Sequence, residues 1–217
     1  MPYGLLIQNG RRQTVLDENN PCMQILDEYN VTGVPYGFPG GYLWNGYDRR
    51  NPDSILFVRC LPGQGYATGI GGVYHTSQNF RVREVLFASD LPAGNLRNAY
   101  FWIQDAQENM VFTSNYALLY PGSTYDFKGY SGTSWSSPPG GYNCTDEWFC
   151  TLVGRGGGSR AGGSAGSGRS TYYSLAYGIQ RNGAGTRIDR RLFDISSFEA
   201  FNGAPIYLGG ITVMSAS

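Results

Sequence analysis

The sequence predicts an all-β protein: an antiparallel β-sandwich or barrel-like architecture built on repeated β-hairpins, with long Gly/aromatic loops. Three observations carry that expectation. Short apolar runs, some alternating with period two, are separated by clusters of Gly, Pro, Asn and Asp. Gly makes up 32 of the 217 residues and Pro 11, so no helix longer than about three turns is expected. A hairpin pattern also recurs: Ile7-Gln8, Ile103-Gln104 and Ile179-Gln180 are each followed, nine residues after the isoleucine, by Leu16, Phe112 and Ile188.

The first hairpin spans Tyr3 to Asp17. Tyr3, Leu5 and Ile7 share one face of a strand, and Asn9-Gly10 tolerates the positive φ of a turn. A loop of Asn9 to Arg12 sets Gln8 opposite Gln13 and Leu5 opposite Leu16. Met23 to Tyr29 fits a strand or two turns of helix. Val34 to Gly46 is a Pro/Gly/aromatic run that forbids helix. Ser54 to Cys60 reads as a central strand, Leu61 to Gly72 as a Gly-rich crossing, and Phe80 to Ala88 as a strand with one wet face, followed by a turn at Leu91 to Asn95.

The second hairpin is Ala99 to Gln104 with Met110 to Ser114, its turn Asp105 to Asn109. Tyr116 to Tyr120 continues as a strand stopped by Pro121-Gly122. Ser123 to Cys150 lacks regular alternation. Gly154 to Gly168 is a low-complexity tract, expected to be flexible or ordered only by a neighbouring chain. Thr171 to Gln180 opens the third hairpin, with its turn at Asn182 to Gly185. Ser196-Ser197-Phe198-Glu199 fits a capping box and Asn202-Gly203 a stop, so at most one short helix is expected there. Ile206 to Met214 closes the chain as a strand. Together these elements make about ten to twelve strands in a single all-β unit over 1–217, with two lobes over about 1–98 and 99–217 as the alternative.

Sixteen basic residues balance sixteen acidic ones, and only Lys128 among the former is lysine. That balance lacks the clustered positive charge nucleic acid demands, so no nucleic-acid partner is expected. No charged segment followed by an apolar run marks a secretion signal, and no apolar stretch is long enough for a membrane span. Synthesis in the cytoplasm as a soluble chain, without membrane insertion, is the expectation. Cys22, Cys60, Cys144 and Cys150 form no C-x-x-C pair, so no metal site and no cofactor are expected. Reduced thiols suit a reducing compartment, although Cys144 and Cys150 bracket a loop short enough to close under oxidation.

No catalytic residue is assigned. His75 is the only histidine and lies outside any nucleophile motif. The G-x-S-x-G match at Gly162 to Gly166 sits inside the low-complexity tract with no strand before it. Asp126, Asp146 and Glu147 offer carboxylates, but adjacent Asp146 and Glu147 point to opposite faces of a strand. An enzyme is therefore not expected. A glycan- or partner-binding site is predicted instead at Tyr125, Asp126, Tyr130, Trp135, Tyr142, Asn143, Asp146 and Trp148. Flat rings suit sugar C–H groups, and short acids and amides suit hydroxyls. Exposed rings there favour glycan binding; buried rings favour packing in a core or subunit interface.

The opening Y-G-L-L-I-Q-N-G-R-R-Q-T-V-L-D resembles the start of a group of small tail-tip or baseplate proteins of long-tailed bacteriophages. Their first strand has an aromatic-Gly-Leu start, an Asn-containing turn follows, and the return strand ends in Asp. Tyr100 to Ser114 is similar. The resemblance implies a virion component of the tail, made in the host cytoplasm. Such a structural or adaptor protein contacts neighbouring tail subunits and copies of itself. The alternative is a lectin-like module that binds host surface glycan. The tract at 154–168 and the third hairpin depart from the group's pattern.

Overall fold

The computed structural model describes residues 6–8, 14–17, 22–36, 41–45, 48–69, 72–91, 99–127, 130–132, 141–153, 157–163, 169–201, 206–208 and 210–217. Among them the fold is all-β and antiparallel, with no α-helix. In chain order the strands are β1 (Leu6–Gln8), β2 (Thr14–Asp17), β3 (Met23–Thr32), β4 (Val34–Pro35), β5 (Tyr42–Asn45), β6 (Ile55–Arg59) and β7 (Gly65–Gly69). Next come β8 (Gly72–His75), β9 (Asn79–Phe87), β10 (Trp102–Gln104), β11 (Met110–Thr113), β12 (Ala117–Leu118), β13 (Pro121–Phe127) and β14 (Tyr130–Gly132). The last are β15 (Tyr142–Asn143), β16 (Trp148–Val153), β17 (Gly157–Gly163), β18 (Arg169–Arg181), β19 (Arg187–Phe201), β20 (Ile206–Leu208) and β21 (Ile211–Ala216).

The chain divides into two compact units, and not near residue 98. One holds residues 1–28, 50–56 and 83–120; the other holds 29–49, 57–82 and 121–217. A cut in sequence fails because β3, β6 and β9 each contribute residues to both units.

In the first unit, β12 pairs with β3, setting Ala117 opposite Ile25 and Leu118 opposite Gln24. Val85, Leu86, Ala88, Val111, Phe112 and Leu119 are buried. Glu84 is buried with them, on the face of β9 opposite its wet face, while Phe87 is exposed. Two backbone N–H groups explain the carboxylate's place: Arg50 N and Asn51 N donate to it at 2.6 and 2.7 Å. A buried carboxylate satisfied in this way closes the turn before β6.

The same unit carries two hairpins that are each a two-stranded sheet, β1–β2 and β10–β11. Ile7 faces Leu16, Gln8 faces Thr14, and the register slips between Ile7 and Gln8. Ile103 faces Phe112, Gln104 faces Met110, and the slip falls between Ile103 and Gln104. Leu16 thus faces Ile7 rather than Leu5, and Gln8 faces Thr14 rather than Gln13, because a bulge lengthens the return strand. Leu5, Gln13 and the Asn9 to Arg12 loop lie outside the described residues. The pattern does not extend to the third site, where Ile179 faces Arg190 and Ile188 faces Arg181. The first strand there runs one residue further, to Arg181, before a turn of the same length, so Ile179 and Ile188 are not partners.

In the second unit, β16 lies between β6 and β21, and β13 flanks β21 on its far side. A second sheet runs β14-β20-β17-β18-β7-β8-β5-β4, with β19 also on β18 and β15 on β19. Phe57, Val58, Tyr66, Phe149, Ile179, Ile188, Ile211 and Val213 form the buried interior. β18 approaches β7 so closely that a Cβ at Gly178 would collide with the Tyr66 carbonyl oxygen.

Other expectations are corrected here. Met23 to Tyr29, open between strand and helix, is strand, within β3. The Leu61 to Gly72 crossing contains a strand, β7. Pro121-Gly122 starts β13 rather than stopping a strand; Pro121, facing Ala216, occupies the first strand position, where its missing N–H matters least. Gly157–Gly163 is not a loop but a strand paired with β18 along its whole length. Backbone ladders need no side chains, so a Gly-rich segment pairs where a long neighbouring strand offers donors and acceptors. Ser196 to Glu199 is strand as well, facing residues 171–174 of β18. The neighbouring strand satisfies the same backbone groups a helix cap would satisfy.

Candidate functional site

The hairpin β10–β11 is entered by a run of exposed rings. Its inner strand is sealed. Cys22 N donates to Val111 O at 3.1 Å. The Gln24 side chain, fully buried, acts as a substitute strand: Thr113 N donates to its Oε1 at 3.1 Å, and its Nε2 donates to Thr113 O at 2.7 Å and Tyr116 O at 3.0 Å. β10 has only one strand neighbour, β11, among the described residues, so its other edge is open.

Three consecutive rings lie at the start of β10: Tyr100 and Phe101 precede it and Trp102 is its first residue. Tyr100 is 97% exposed, and Phe101 and Trp102 are each 50% exposed. Phe101 leans on buried Phe112 with ring centroids 5.2 Å apart, which holds the patch in place from below. Tyr100 N and Phe101 N both donate to Ser114 Oγ, at 2.8 and 3.2 Å, fixing the backbone before β10. At the hairpin tip the Asp105 carboxylate accepts from Asn109 Nδ2, Asn109 N and Gln107 N, each at 2.8 Å. The Asn109 amide, then these backbone donors, hold the Asp105 carboxyl below its ordinary value. Glu108 has φ +66°, a left-handed conformation that Gly or Asn adopts more cheaply.

The rings predicted for glycan or partner binding have a different environment. Tyr125, on β13, is 8% exposed, and Trp148, on β16, is 6% exposed. Burial raises the Tyr125 phenol above its ordinary value. Tyr142, on β15, is 37% exposed. Its ring lies 5.2 Å from that of Tyr125 and meets Phe127 edge-on at 5.1 Å, and its hydroxyl donates to Asp126 O at 2.6 Å. Tyr142 therefore covers part of the free edge of β13.

Asp126 and Asn143 are exposed. Thr212 Oγ1 donates to Asp126 Oδ1 at 3.4 Å. Asp146 Oδ2 accepts from buried Ser215 Oγ at 2.7 Å. The structure thus brings Tyr125, Asp126 and Tyr142 together. Trp148 is two strands from β13, on β16, facing Arg59 and Ala216. Tyr130 faces Leu208 in the other sheet. Trp135 lies outside the described residues.

The remaining chemical groups are tied up in the fold. Glu147 accepts from Arg59 Nε and Nη2 at 2.9 and 2.7 Å, so the neighbouring acids Asp146 and Glu147 have different partners. His75 is fully buried and stacked 4.3 Å from Phe80. Ser77 N donates to its Nδ1 at 2.9 Å, which leaves Nε2–H to donate to Arg59 O at 3.2 Å. Burial pushes its imidazole below the ordinary value. Buried Arg181 donates to the carbonyls of Gly185, Thr145 and Cys60, binding three chain segments together. The four cysteines are unbridged. Burial pushes the Cys60 and Cys150 thiols up to about 12 and Cys22 to about 11. Among the described residues no three of His, Cys, Asp and Glu gather as metal ligands.

Sequence reasoning placed Tyr100 to Ser114 in a hairpin but did not select its rings as a site. One signal was available: three adjacent aromatics in a strand cannot all face one side, so at least one faces away from any core.

Comparison with described protein families, curated proteins and solved structures finds no match.

Proposed function

We propose that this chain is a structural or adaptor protein of a bacteriophage tail tip or baseplate, holding neighbouring subunits through protein–protein contacts. The observation that carries the adaptor reading is the exposed Tyr100-Phe101-Trp102 run that leads into β10, with a ring exposed at 97% at its start. Aromatic rings beside an open strand edge combine apolar area with unpaired backbone groups, which suits docking of another chain. The placement in a phage tail rests on the resemblance of Tyr3 to Asp17 to tail-tip proteins. Burial of Tyr125 and Trp148 supports a packing role for those rings rather than a sugar platform.

A second reading, receptor binding through host glycan, is favoured by one observation. Asp126, Tyr142 and Asn143 put a carboxylate, a ring and an amide at the surface. Immunogold labelling of particles with antibody against this chain tests the placement: gold at the tail tip is expected, and its absence from the virion overturns it. Particles carrying Trp102→Ser then separate the roles. Loss of finished tails supports the adaptor, whereas complete tails that fail to adsorb support the receptor binder.

A further inference from the structure

We propose that the β10 edge is the docking surface for the β1–β2 hairpin of a second copy of this chain, so that copies join head to tail. The inference deepens the adaptor reading by naming one partner and the surface it uses.

The two hairpins are built alike. Ile7 faces Leu16 as Ile103 faces Phe112, and each pairing slips at the residue after the isoleucine. Among the described residues each has only its own two strands as a sheet. A two-stranded sheet is marginal in water and gains stability from further strands. β10 supplies an open edge, because β11 is sealed by Cys22 and Gln24 on the opposite side.

The charges select the partner. The residues joining β1 and β2 are Asn9-Gly10-Arg11-Arg12-Gln13, which carry two positive charges and no negative one. The residues joining β10 and β11 are Asp105-Ala106-Gln107-Glu108-Asn109, which carry two negative charges and no positive one. Glu108 is exposed and has no ion-pair partner among the described residues, and the Asp105 carboxylate accepts from donors of its own loop. Joining segments of equal length and opposite charge, between strands paired in the same register, are complementary to one another. Like loops on two identical hairpins would repel, so the contact is heterologous and leads to a ring or a chain of copies. Tyr100, Phe101 and Trp102 supply the apolar part of the contact.

Sedimentation of the full chain over a range of concentrations tests this. The wild type is expected to self-associate. Glu108→Lys, which leaves the strained backbone position no worse off, is expected to weaken association about tenfold, as is the pair Arg11→Glu and Arg12→Glu. Combining the three changes is expected to restore much of the association. Trp102→Ser is expected to abolish it while the far-UV spectrum and melting temperature stay near wild type. A chain that remains monomeric up to about 100 µM overturns the proposal at that affinity scale. So do charge reversals that leave association unchanged, and reversals that alter melting without altering mass, which would place the hairpin contact within one chain. The outcome is separable from the placement in a tail. Gold at the tail tip with a strictly monomeric chain removes this proposal alone, and association without gold on the virion removes the tail reading alone.

Discussion

Two groups of aromatic rings in this protein have similar chemistry and opposite surroundings. Tyr100, Phe101 and Trp102 are exposed at the start of β10, while Tyr125 and Trp148 sit inside the second unit. The difference comes from strand neighbours. β16 has β6 on one side and β21 on the other, so Trp148 has covered flanks. β10 has β11 alone. A ring's identity therefore says little about its role until the partner of its strand is known. Tyr142 is the intermediate case, with a face packed on Tyr125 and Phe127 and a hydroxyl that caps an edge carbonyl.

The largest expected effect tests this contrast directly. Trp148→Ala removes a buried ring and is expected to destabilise the chain by about 3–5 kcal/mol. Trp102→Ala, at half exposure, is expected to lower the stability of the free chain by under about 1 kcal/mol. Denaturant unfolding of the two variants measures both. Equal shifts would mean that Trp102 belongs to a core and would remove the docking edge.

How much of this was legible beforehand depends on which interaction decides each segment. Apolar β-branched runs such as Ile55 to Val58 predicted a central strand, because apolar burial alone decides such a segment. Glu84 was not predicted to be buried, since the donors that make burial tolerable, Arg50 N and Asn51 N, come from a distant turn. Gly157 to Gly163 was misread for a related reason: its order comes from pairing with β18 and leaves no trace in its side chains. Ser196 to Glu199 carries a helix-cap pattern that the long pairing with β18 overrides. For the site, residue type identified candidate rings, but exposure is a property of strand order. Hence Tyr125 and Trp148 were selected and Tyr100 to Trp102 were not.

Acid should separate the regions next. His75 is neutral in the fold, and its imidazole is held below the ordinary value of about 6.5 by burial. The unfolded chain binds that proton more readily, so stability from the neutral ring is fully present above about pH 6.5 and is lost as pH falls toward the folded value. Asp105, on the exposed hairpin, has a lowered value and acts only at still lower pH, below the ordinary carboxylate range. Unfolding midpoints measured from pH 8 to pH 5 are expected to fall below about pH 6.5. In His75→Gln that part of the decline is expected to disappear. A midpoint that rises on acidification through this range would contradict a buried neutral imidazole.

Thiol chemistry gives a finer distinction within the buried regions. Cys60 and Cys150, with thiols pushed up to about 12, should resist a thiolate-directed reagent at pH 8, and Cys22, at about 11, should resist it less strongly. Denaturant is expected to expose all four free thiols to the reagent. Rapid labelling of Cys150 in the folded chain, located by peptide mass, would show that β16 opens readily and is not the closed interior strand described here.

The smallest change is a single oxygen at Tyr142. Its hydroxyl donates to Asp126 O at 2.6 Å, on the strand edge that Tyr142 covers. Tyr142→Phe keeps the ring contacts with Tyr125 and Phe127 and removes that bond, so it is expected to reduce stability by about 0.5–1.5 kcal/mol. If Tyr142 is an edge cover, this loss appears in unfolding experiments and no glycan on an array distinguishes the variant from the wild type. If Asp126, Tyr142 and Asn143 instead form a sugar site, a glycan bound by the wild type should lose affinity in the variant. In Tyr142→Ala that loss should be larger, since the stacking face goes with the hydroxyl. The two readings therefore predict different responses to the same oxygen atom, and the adaptor reading requires the array to stay silent for all three proteins.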